Sequence, residues 1–313
     1  MHQLDHSDVR AAAERIAGLV RPVAVSPGGP DGTWLALEYM QHTGSFKARG
    51  AVNFLRAHRE AGALPEAGVT IASGGNAGLA CAWAARREGV RATVFLPENA
   101  PAVKVERLRG YGADVRLVGR EYAQALAACE EFAAASGALA SHAYDHPLVA
   151  AGAGTLLEEV RRQVPGLDTV VVSVGGGGLF AGVAAAARAH GVRTVAVEPE
   201  NCRALHAALA AGEPVDVPVD SVAADSLGAR RASATALAAA RDAGVRTVLV
   251  PDAAIVRARR ALWEEHRIAV EHAASTALAA LATGAYRPEP DERVCVVLCG
   301  ANTDPGTLTG PDA

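Results

Sequence analysis

Lysine is nearly absent from this chain of 313 residues. Lysine and arginine together number 30, but only two of these residues are lysines, Lys47 and Lys104. Arginine therefore supplies almost all of the positive charge, so a position that keeps a lysine calls for a chemical explanation. Lys47 lies in the stretch HTGSFKARGA, between Phe46 and Ala48, where a solvated surface charge is not expected.

Other absences each exclude a class of protein. The formal net charge is only −4, so no overall basic field attracts nucleic acid or anionic lipid. No apolar run approaches the roughly 18 residues of a membrane helix, and the N-terminal stretch lacks a signal-peptide core, so we expect a cytoplasmic protein. The cysteines are odd in number and form no CxxC pair, which argues against disulfides and a zinc site; they are Cys81, Cys129, Cys202, Cys295 and Cys299.

The hydrophobic pattern is typical of an α/β protein. Short β-branched runs alternate with alanine-rich amphipathic stretches, which predicts open, twisted parallel sheets with helices on both faces. The predicted strands are Val69–Ala72, Thr93–Leu96, Asp114–Val118, Ala138–Ser141, Thr169–Val174, Thr194–Glu198, Thr247–Val250 and Val294–Leu298. The predicted helices between them include Ala77–Glu88, Ala102–Tyr111, Tyr122–Ser136, Val149–Gln163, Leu179–His190, Ala232–Ala243 and Ile255–His266.

A run of four glycines, Gly175 to Gly178, follows the apolar strand TVVVSV. Glycines let backbone N–H groups turn inward around an anion, and the helix that follows adds the positive end of its dipole. The run therefore indicates a bound phosphate, although close packing in a tight turn would also use glycine.

A dinucleotide site is the competing interpretation of this loop. Gly176, Gly178 and Ala181 fit G-x-G-x-x-G/A, and Glu198 ends the next strand where a ribose-binding acid would lie. That interpretation leaves the stretches TGSFKARG and ASGGNAG unexplained, and its loop would normally fall in the first strand–helix unit. A nucleotide-binding oxidoreductase therefore stays open as an alternative.

Lys47 has the setting of a nucleophile. With Ser45 as the N-cap, Lys47 falls in the first turn of a helix, where the dipole disfavours a cation, and burial beside Phe46 acts in the same direction. Both effects lower the pKa of the amine, which suits a lysine that forms an imine. Lys104, in APAVKVERLRG, has no such setting and is interpreted as a charge on a helix surface.

An imine-forming lysine together with a phosphate site indicates pyridoxal 5'-phosphate. In ASGGNAG, Asn76 is placed to bind the ring hydroxyl, and Ser73 with the N–H groups of Gly74, Gly75 and Asn76 to bind a substrate carboxylate. Cys299, at the end of the last strand, is placed to meet the ring nitrogen. A capping asparagine and a core cysteine are the ordinary alternatives for these positions.

The chain resembles the fold type II pyridoxal-phosphate enzymes, and among them the serine/threonine dehydratases (ammonia-lyases). The resemblance covers nearly the whole chain and rests on TGSFKARGA, SGGNAGLA, DHPLVAAGAGTLLEE, SVGGGGL, VAVEPE and VVLCGAN, in family order. The cysteine of the last motif is closest in style to mammalian-type serine dehydratases.

The resemblance implies a role for each matching residue. Lys47 would be the Schiff-base lysine and general base, with Phe46 against the cofactor ring. Asn76 would bind the ring hydroxyl and Cys299 would face the ring nitrogen. The phosphate would be held by Gly175, Gly176, Gly177, Gly178 and Leu179.

The resemblance also implies an architecture and a reaction. It implies a tryptophan synthase β-like fold, with a large domain of residues 1–53 plus 145–313, a small inserted domain of residues 54–144, and the cofactor in the cleft between them. The expected reaction is β-elimination from L-serine or L-threonine, giving a 2-oxo acid and ammonia. The alternatives are a β-replacement transferase of the cysteine synthase type, or a lyase for another β-hydroxy amino acid.

Departures from the family pattern bear on the details. Gly74 stands where related racemases have a serine, so we expect elimination without racemisation. Ala204 replaces an aspartate that binds a divalent cation in some relatives. We therefore expect no such metal, with a monovalent cation near Glu198, Cys202 and Ala204 as a weaker alternative. A homodimer is a family expectation.

Overall fold

The computed structural model describes residues 3–29 and 32–308. The strands are β1 (Val25–Pro27), β2 (Trp34–Ala36), β3 (Val69–Ala72), β4 (Ala92–Leu96), β5 (Asp114–Leu117), β6 (Leu139–Ala140), β7 (Thr169–Ser173), β8 (Arg193–Pro199), β9 (Val245–Val250) and β10 (Val294–Val297). The helices are α1 (His6–Ile16), α2 (Lys47–Glu60), α3 (Asn76–Glu88), α4 (Ala102–Gly110), α5 (Tyr122–Ser136), α6 (Pro147–Gln163), α7 (Gly178–Ala189), α8 (Ala204–Ala211), α9 (Ala224–Leu227), α10 (Ala234–Ala240), α11 (Asp252–His266) and α12 (His272–Ala282).

The described strands form two sheets. The larger has the order β1-β2-β10-β7-β8-β9, and the smaller has the order β5-β4-β3-β6. Every pairing is parallel except that of β1 with β2. β7 and β10 are completely buried, which explains why their sequences are continuous apolar runs. Among the described residues, no helix is long and apolar enough to cross a membrane.

The predicted α/β class with parallel sheets is confirmed, and each of the eight predicted strands is present. β1 and β2 were not predicted, and β1 adds an antiparallel edge. The smaller sheet lies wholly within residues 54–144, but the proposed boundary at residue 53 falls inside α2. The division into two domains stays a prediction, and its outer limits, residues 1 and 313, lie outside the described residues.

Glycines bring the three helices α2, α6 and α7 unusually close together. A Cβ on Gly152 of α6 would lie 2.7 Å from the carbonyl oxygen of Arg49 in α2. A Cβ on Gly154 of the same helix would lie 2.4 Å from the carbonyl oxygen of Gly182 in α7. Helix α6 therefore fixes α2 and α7 relative to each other, and both helices begin at predicted site residues, Lys47 and Gly178.

Helix α2 is also anchored by a buried ion-pair network. The Arg49 side chain is fully buried, and its Nε lies 2.6 Å from Glu38 Oε1, while its Nη1 lies 2.7 Å from Glu159 Oε1. Arg49 Nη1 also donates to Thr155 Oγ1 at 3.1 Å. Burial raises the pKa of Glu38, and the charge of Arg49 opposes this shift. The network holds α2 two residues beyond Lys47.

We expect Arg49→Met to lower the free energy of unfolding by about 3–5 kcal/mol, because Glu38 and Glu159 lose the cation that compensates their charges. The matched control is Arg10→Met on the exposed face of α1. This variant should change the free energy of unfolding by less than about 0.5 kcal/mol. Urea unfolding of both variants measures the difference. A loss below about 1 kcal/mol for Arg49→Met would show that the network does not anchor α2.

Candidate active site

The predicted site residues converge on a cleft between the two sheets. Asn76 follows β3 of the smaller sheet, whereas Gly175 and Cys299 follow β7 and β10 of the larger one. Each therefore lies at the carboxyl end of a parallel strand, where α/β folds bind ligands. Contacts cross the cleft directly: Lys47 Nζ donates to the carbonyl oxygen of Ala143, which follows β6, at 2.8 Å.

The backbone before Lys47 differs from the predicted helix start. Ser45 is extended, with φ −160° and ψ 159°, and forms an isolated bridge with Gly300, so the prediction of Ser45 as the N-cap is wrong. Phe46 is the N-cap and α2 begins at Lys47. The physical reason is that the carbonyl oxygen of Cys299 accepts the Phe46 N–H at 3.0 Å, which ties this segment to the end of β10. Lys47 nevertheless lies in the first turn, as predicted.

The Lys47 amine is held in a desolvated position. Its Nζ lies 4.8 Å from the centroid of the Phe46 ring, and no carboxylate among the described residues forms a salt bridge with it. Burial lowers the pKa of Lys47 to about 8, and the nearby Cys299 and Glu271 only partly offset this effect. At neutral pH a much larger fraction of the amine is therefore uncharged and nucleophilic than in an ordinary lysine, although the protonated form predominates.

We expect the Lys47 amine in the cofactor-free protein to titrate with a midpoint near pH 8. Because burial penalises the ammonium form, the amine is protonated below this pH and becomes neutral as the pH rises through it. Reductive ¹³C-methylation and NMR would follow it, since the chain has only two lysines beside its N-terminal amine. Lys47→Arg and Lys104→Arg assign the two lysine signals and so separate them from the signal of the N-terminal amine, which titrates in the same pH range. A Lys47 midpoint above about 10, the value of a free lysine, would contradict the desolvated setting.

The glycine loop forms a cradle of backbone donors at the start of α7. No hydrogen bond from the N–H groups of residues 175–179 to a protein acceptor is found within residues 3–29 and 32–308. Gly177 has φ +96°, and a Cβ there would lie 2.3 Å from the Ala236 Cβ. The loop therefore needs glycine at this position and presents five backbone donors at the positive end of a buried helix, which suits a phosphate group.

Tyr144 closes the cradle and was not predicted as a site residue. A Cβ on Gly176 would lie 2.3 Å from the Tyr144 ring, and one on Gly178 would lie 2.8 Å from the Tyr144 carbonyl oxygen. The Tyr144 hydroxyl donates to the carbonyl oxygen of Arg231 at 3.2 Å. His142 packs edge-on against this ring, with centroids 4.8 Å apart. The only sequence signal was the position of Tyr144 immediately before the motif DHPLVAAGAG.

We expect Gly177→Ala to weaken cofactor binding by at least about tenfold, because the methyl group meets Ala236 and the left-handed backbone conformation becomes strained. The matched control is Gly191→Ala just beyond α7, where φ is +66° and no heavy atom lies within 4 Å of the added Cβ. Titration of pyridoxal phosphate into the cofactor-free variants measures both affinities. Equal affinities for the two variants would contradict a role of the cradle.

Asn76 belongs to a polar network that crosses the cleft. Its Nδ2 donates to Glu271 Oε1 at 2.9 Å, and its Oδ1 accepts from Asn302 Nδ2 at 2.6 Å. Asn302 also donates to the carbonyl oxygen of Thr43 at 2.7 Å and accepts from Arg107 at 2.5 Å. Burial raises the pKa of Glu271. The amide of Asn76 is thus held in one orientation by side chains far away in the sequence.

Cys299 lies at the buried end of β10, beside this network. It is 3% exposed, and burial raises the pKa of its thiol far above the ordinary range, with a further contribution from the charge of Glu271. The thiol is therefore neutral. It differs from a carboxylate because it cannot keep a neighbouring basic nitrogen fully protonated.

The remaining predicted residues are accounted for as follows. Ser73, Gly74 and Gly75 form the turn between β3 and α3, and all three are partly buried in the cleft wall. Glu198 lies elsewhere: its carboxylate accepts the backbone N–H groups of Leu205 at 2.7 Å and His206 at 2.9 Å, so it caps α8. Burial raises the pKa of Glu198 to about 7. The weaker alternative of a monovalent cation near Glu198, Cys202 and Ala204 stays a prediction.

Lys104 is more than the predicted surface charge. Its Nζ lies 2.7 Å from Asp225 Oδ1, so a partly exposed ion pair joins α4 beside the smaller sheet to α9 beside the larger one. Together with the contact between Arg107 and Asn302, it places α4 across the mouth of the cleft.

A desolvated lysine and a cradle of backbone donors, set in a cleft between two parallel sheets, define the site of a pyridoxal-phosphate enzyme. The comparison with family models agrees: the model described as "Pyridoxal-phosphate dependent enzyme" matches residues 19–300, and the chain belongs to this family. Its cofactor is pyridoxal 5'-phosphate, and its architecture is the fold type II architecture predicted from the motifs.

The chain is similar to several individual members of this family. The chain is 40% identical to an L-threonine ammonia-lyase of Geobacter sulfurreducens over 276 residues, which cover 87% of this chain and 67% of that protein. It is 35% identical to a serine dehydratase-like protein of Mus musculus over 302 residues, covering 92% and 90%. Among solved structures, maize serine racemase has a TM-score of 0.91 at 30% identity, covering 98% and 96%.

The residues present fit this cofactor. The five backbone donors of the cradle are without protein acceptors in the described part of the chain. The Ser45 hydroxyl is buried beside Phe46, and it too has no hydrogen-bond partner there. Lys47 supplies an amine with a lowered pKa in the same cleft. These unsatisfied groups are polar and grouped, as expected for a site that holds a phosphorylated carbonyl compound.

Proposed function

We propose that this protein is a lyase that catalyses β-elimination from L-serine or L-threonine and releases a 2-oxo acid and ammonia. The observation that carries the proposal is the Lys47 amine, whose pKa is lowered to about 8 by burial. The same cleft contains the cradle of Gly175–Leu179, at the start of α7. The relatives named as a threonine ammonia-lyase and a serine dehydratase-like protein support the same reaction class.

Each residue of the site has a proposed role. Bound pyridoxal phosphate supplies an electron sink that acidifies the α-hydrogen of an amino acid. Lys47 would hold the cofactor and then serve as the base for that hydrogen. The N–H groups of Gly175–Leu179 would hold the phosphate, and Phe46 would pack against the ring. Asn76, fixed by Glu271 and Asn302, would bind the ring hydroxyl.

Cys299 supports elimination in particular. Its neutral thiol would meet the ring nitrogen without keeping it protonated, which gives a weaker electron sink than a carboxylate would give. Loss of a β-hydroxyl tolerates a weak sink, because negative charge at the α-carbon is relieved as soon as the leaving group departs. The N–H groups of Ser73–Asn76 would bind the substrate carboxylate at the start of α3.

The test is release of 2-oxo acid and ammonia from L-serine, L-threonine, threo-3-hydroxyaspartate and phenylserine. We expect Lys47→Ala to lower turnover of the preferred substrate by about 1,000-fold or more, because it removes the base. Lys104→Ala should stay within about fivefold, since it removes one partly exposed ion pair. Full activity of Lys47→Ala would contradict the assignment.

The alternative is β-replacement, in which a second nucleophile adds in place of the departing group. It shares the lysine and the cradle, so the site itself does not distinguish it from elimination. Absence of 2-oxo acid from the whole panel, with turnover restored by added sulfide, would favour this alternative.

We expect elimination without racemisation. Gly74 provides no side-chain base on the cofactor face opposite Lys47, and a Cβ there would lie 2.5 Å from Leu96 Cδ2. The solved relative from maize is named a serine racemase, so the question is open to measurement. Chiral chromatography of an L-serine reaction should show 2-oxo acid and no appreciable D-serine. Formation of D-serine at a rate near that of 2-oxo acid would refute the role of Gly74.

The proposal extends to assembly and location. A homodimer is what the resemblance implies for such a lyase, and sedimentation equilibrium of the holoenzyme tests it. The cytoplasmic location stays the expectation from the N-terminal sequence.

A further inference from the structure

A second cluster of chemically reactive side chains lies far from the cleft. His6 begins α1, Glu158 lies in α6, and His190 is the C-cap of α7. In the described part of the chain, this is the one group of three or more His, Cys, Asp or Glu residues whose ligand atoms all lie within 4.8 Å of one another. The cysteine pattern gave no indication of it, and the proposed reaction does not use it.

The distances within the cluster are close to those of a metal site. His6 Nε2 lies 3.0 Å and His190 Nε2 2.9 Å from the same oxygen, Glu158 Oε1. A tetrahedral zinc ion with bonds of about 2.0–2.1 Å holds neighbouring ligand atoms about 3.3 Å apart. The two nitrogen–oxygen distances therefore need to open by only a few tenths of an ångström. All three ligand atoms lie within 4.8 Å of one another, and the two imidazole rings stand nearly perpendicular, with centroids 4.7 Å apart.

The scaffold around the cluster restricts its motion. His6 is the first residue of α1, and the capping box of Asp5 and Asp8 fixes that turn. Helices α1, α6 and α7 pack against one another, and the three side chains are only 15–26% exposed. The ligands are thus preorganised on three different helices and remain open to solvent on one side.

The ligand set selects the kind of ion. Two imidazole nitrogens and one carboxylate suit Zn²⁺ and its neighbours in the transition series, whereas Mg²⁺ and Ca²⁺ prefer oxygen ligands. Arg161 lies beside the cluster, with Nη1 3.8 Å from Glu158 Oε2, and it leaves Oε1 to face the histidines. We propose that His6, Glu158 and His190 bind a zinc ion, with water completing the coordination.

The ion would act as a structural clamp. It would join the start of α1 to α6 and to the end of α7, and so hold the N-terminal helix on the body of the protein. Helix α7 separates it from the phosphate cradle by about 18 Å, so zinc binding should leave turnover unchanged.

The experiment is isothermal titration of ZnCl₂ into tag-free, chelator-treated holoenzyme, with MgCl₂ as the comparison ion. We expect one zinc site with micromolar affinity and no magnesium site. The variants His6→Gln and His190→Gln can still hydrogen-bond to Glu158 but lose a nitrogen ligand, so each should weaken binding by at least about tenfold. His266→Gln, a partly exposed histidine of α11, is the matched control and should bind as the wild type does.

A second readout separates coordination from misfolding. Saturating zinc should raise the melting temperature of the wild type and of His266→Gln by about 3 °C or more, and should not raise that of the other two variants. Cobalt substitution should give a visible d–d spectrum that His190→Gln loses. Absence of saturable zinc binding, or zinc binding that survives in both His6→Gln and His190→Gln, would overturn the proposal and leave the cluster as a hydrogen-bonded His–Glu–His group.

Discussion

Desolvation of a single amine is the constraint on which the site depends. Lys47 Nζ is fixed on the backbone carbonyl of Ala143, in the first turn of α2, where the helix dipole disfavours positive charge. Glu271 and Cys299 lie near enough to moderate the shift, yet neither removes it. The buried Arg49 network then holds α2 firmly, so the amine cannot relax toward solvent by a shift of the helix. The result is a lysine that loses its proton at a much lower pH than an ordinary lysine, although the protonated form still predominates at neutral pH.

The anion-binding half of the cleft follows from helix packing. α6 lies between α2 and α7, and glycines at their crossings allow backbone-to-backbone contact, so the Lys47 amine and the cradle are set by one rigid unit. The smaller sheet supplies the other wall through Ala143, Tyr144 and Asn76. Contacts from Lys104 to Asp225 and from Arg107 to Asn302 join the two walls at the mouth. These polar contacts are few and partly exposed, which suits a cleft that opens and closes around an amino acid.

The sequence predicted the architecture well because the buried strands are continuous β-branched runs. The strands β1 and β2 were missed since each has only three residues, and Ser45 was misassigned because its extended conformation depends on pairing with Gly300. Lys47 and the glycine run could be predicted as site residues because each is recognisable within a short stretch of sequence. The contact of Asn76 with Glu271 could not be predicted, since it joins residues 195 positions apart. The cluster of His6, Glu158 and His190 could not be predicted either, because its members are also far apart in the sequence. Long-range polar contacts carry no local pattern.

The position of the cofactor on the chain tests most directly whether Lys47 is the lysine that binds it. Reduction of the holoenzyme with borohydride, followed by proteolysis and mass spectrometry, would locate the covalent adduct, and the presence of only two lysines makes the assignment unambiguous. We expect one phosphopyridoxyl group per chain on the peptide that contains Lys47, and none on the peptide that contains Lys104. An adduct on Lys104, or a holoenzyme with no adduct on Lys47, would contradict it.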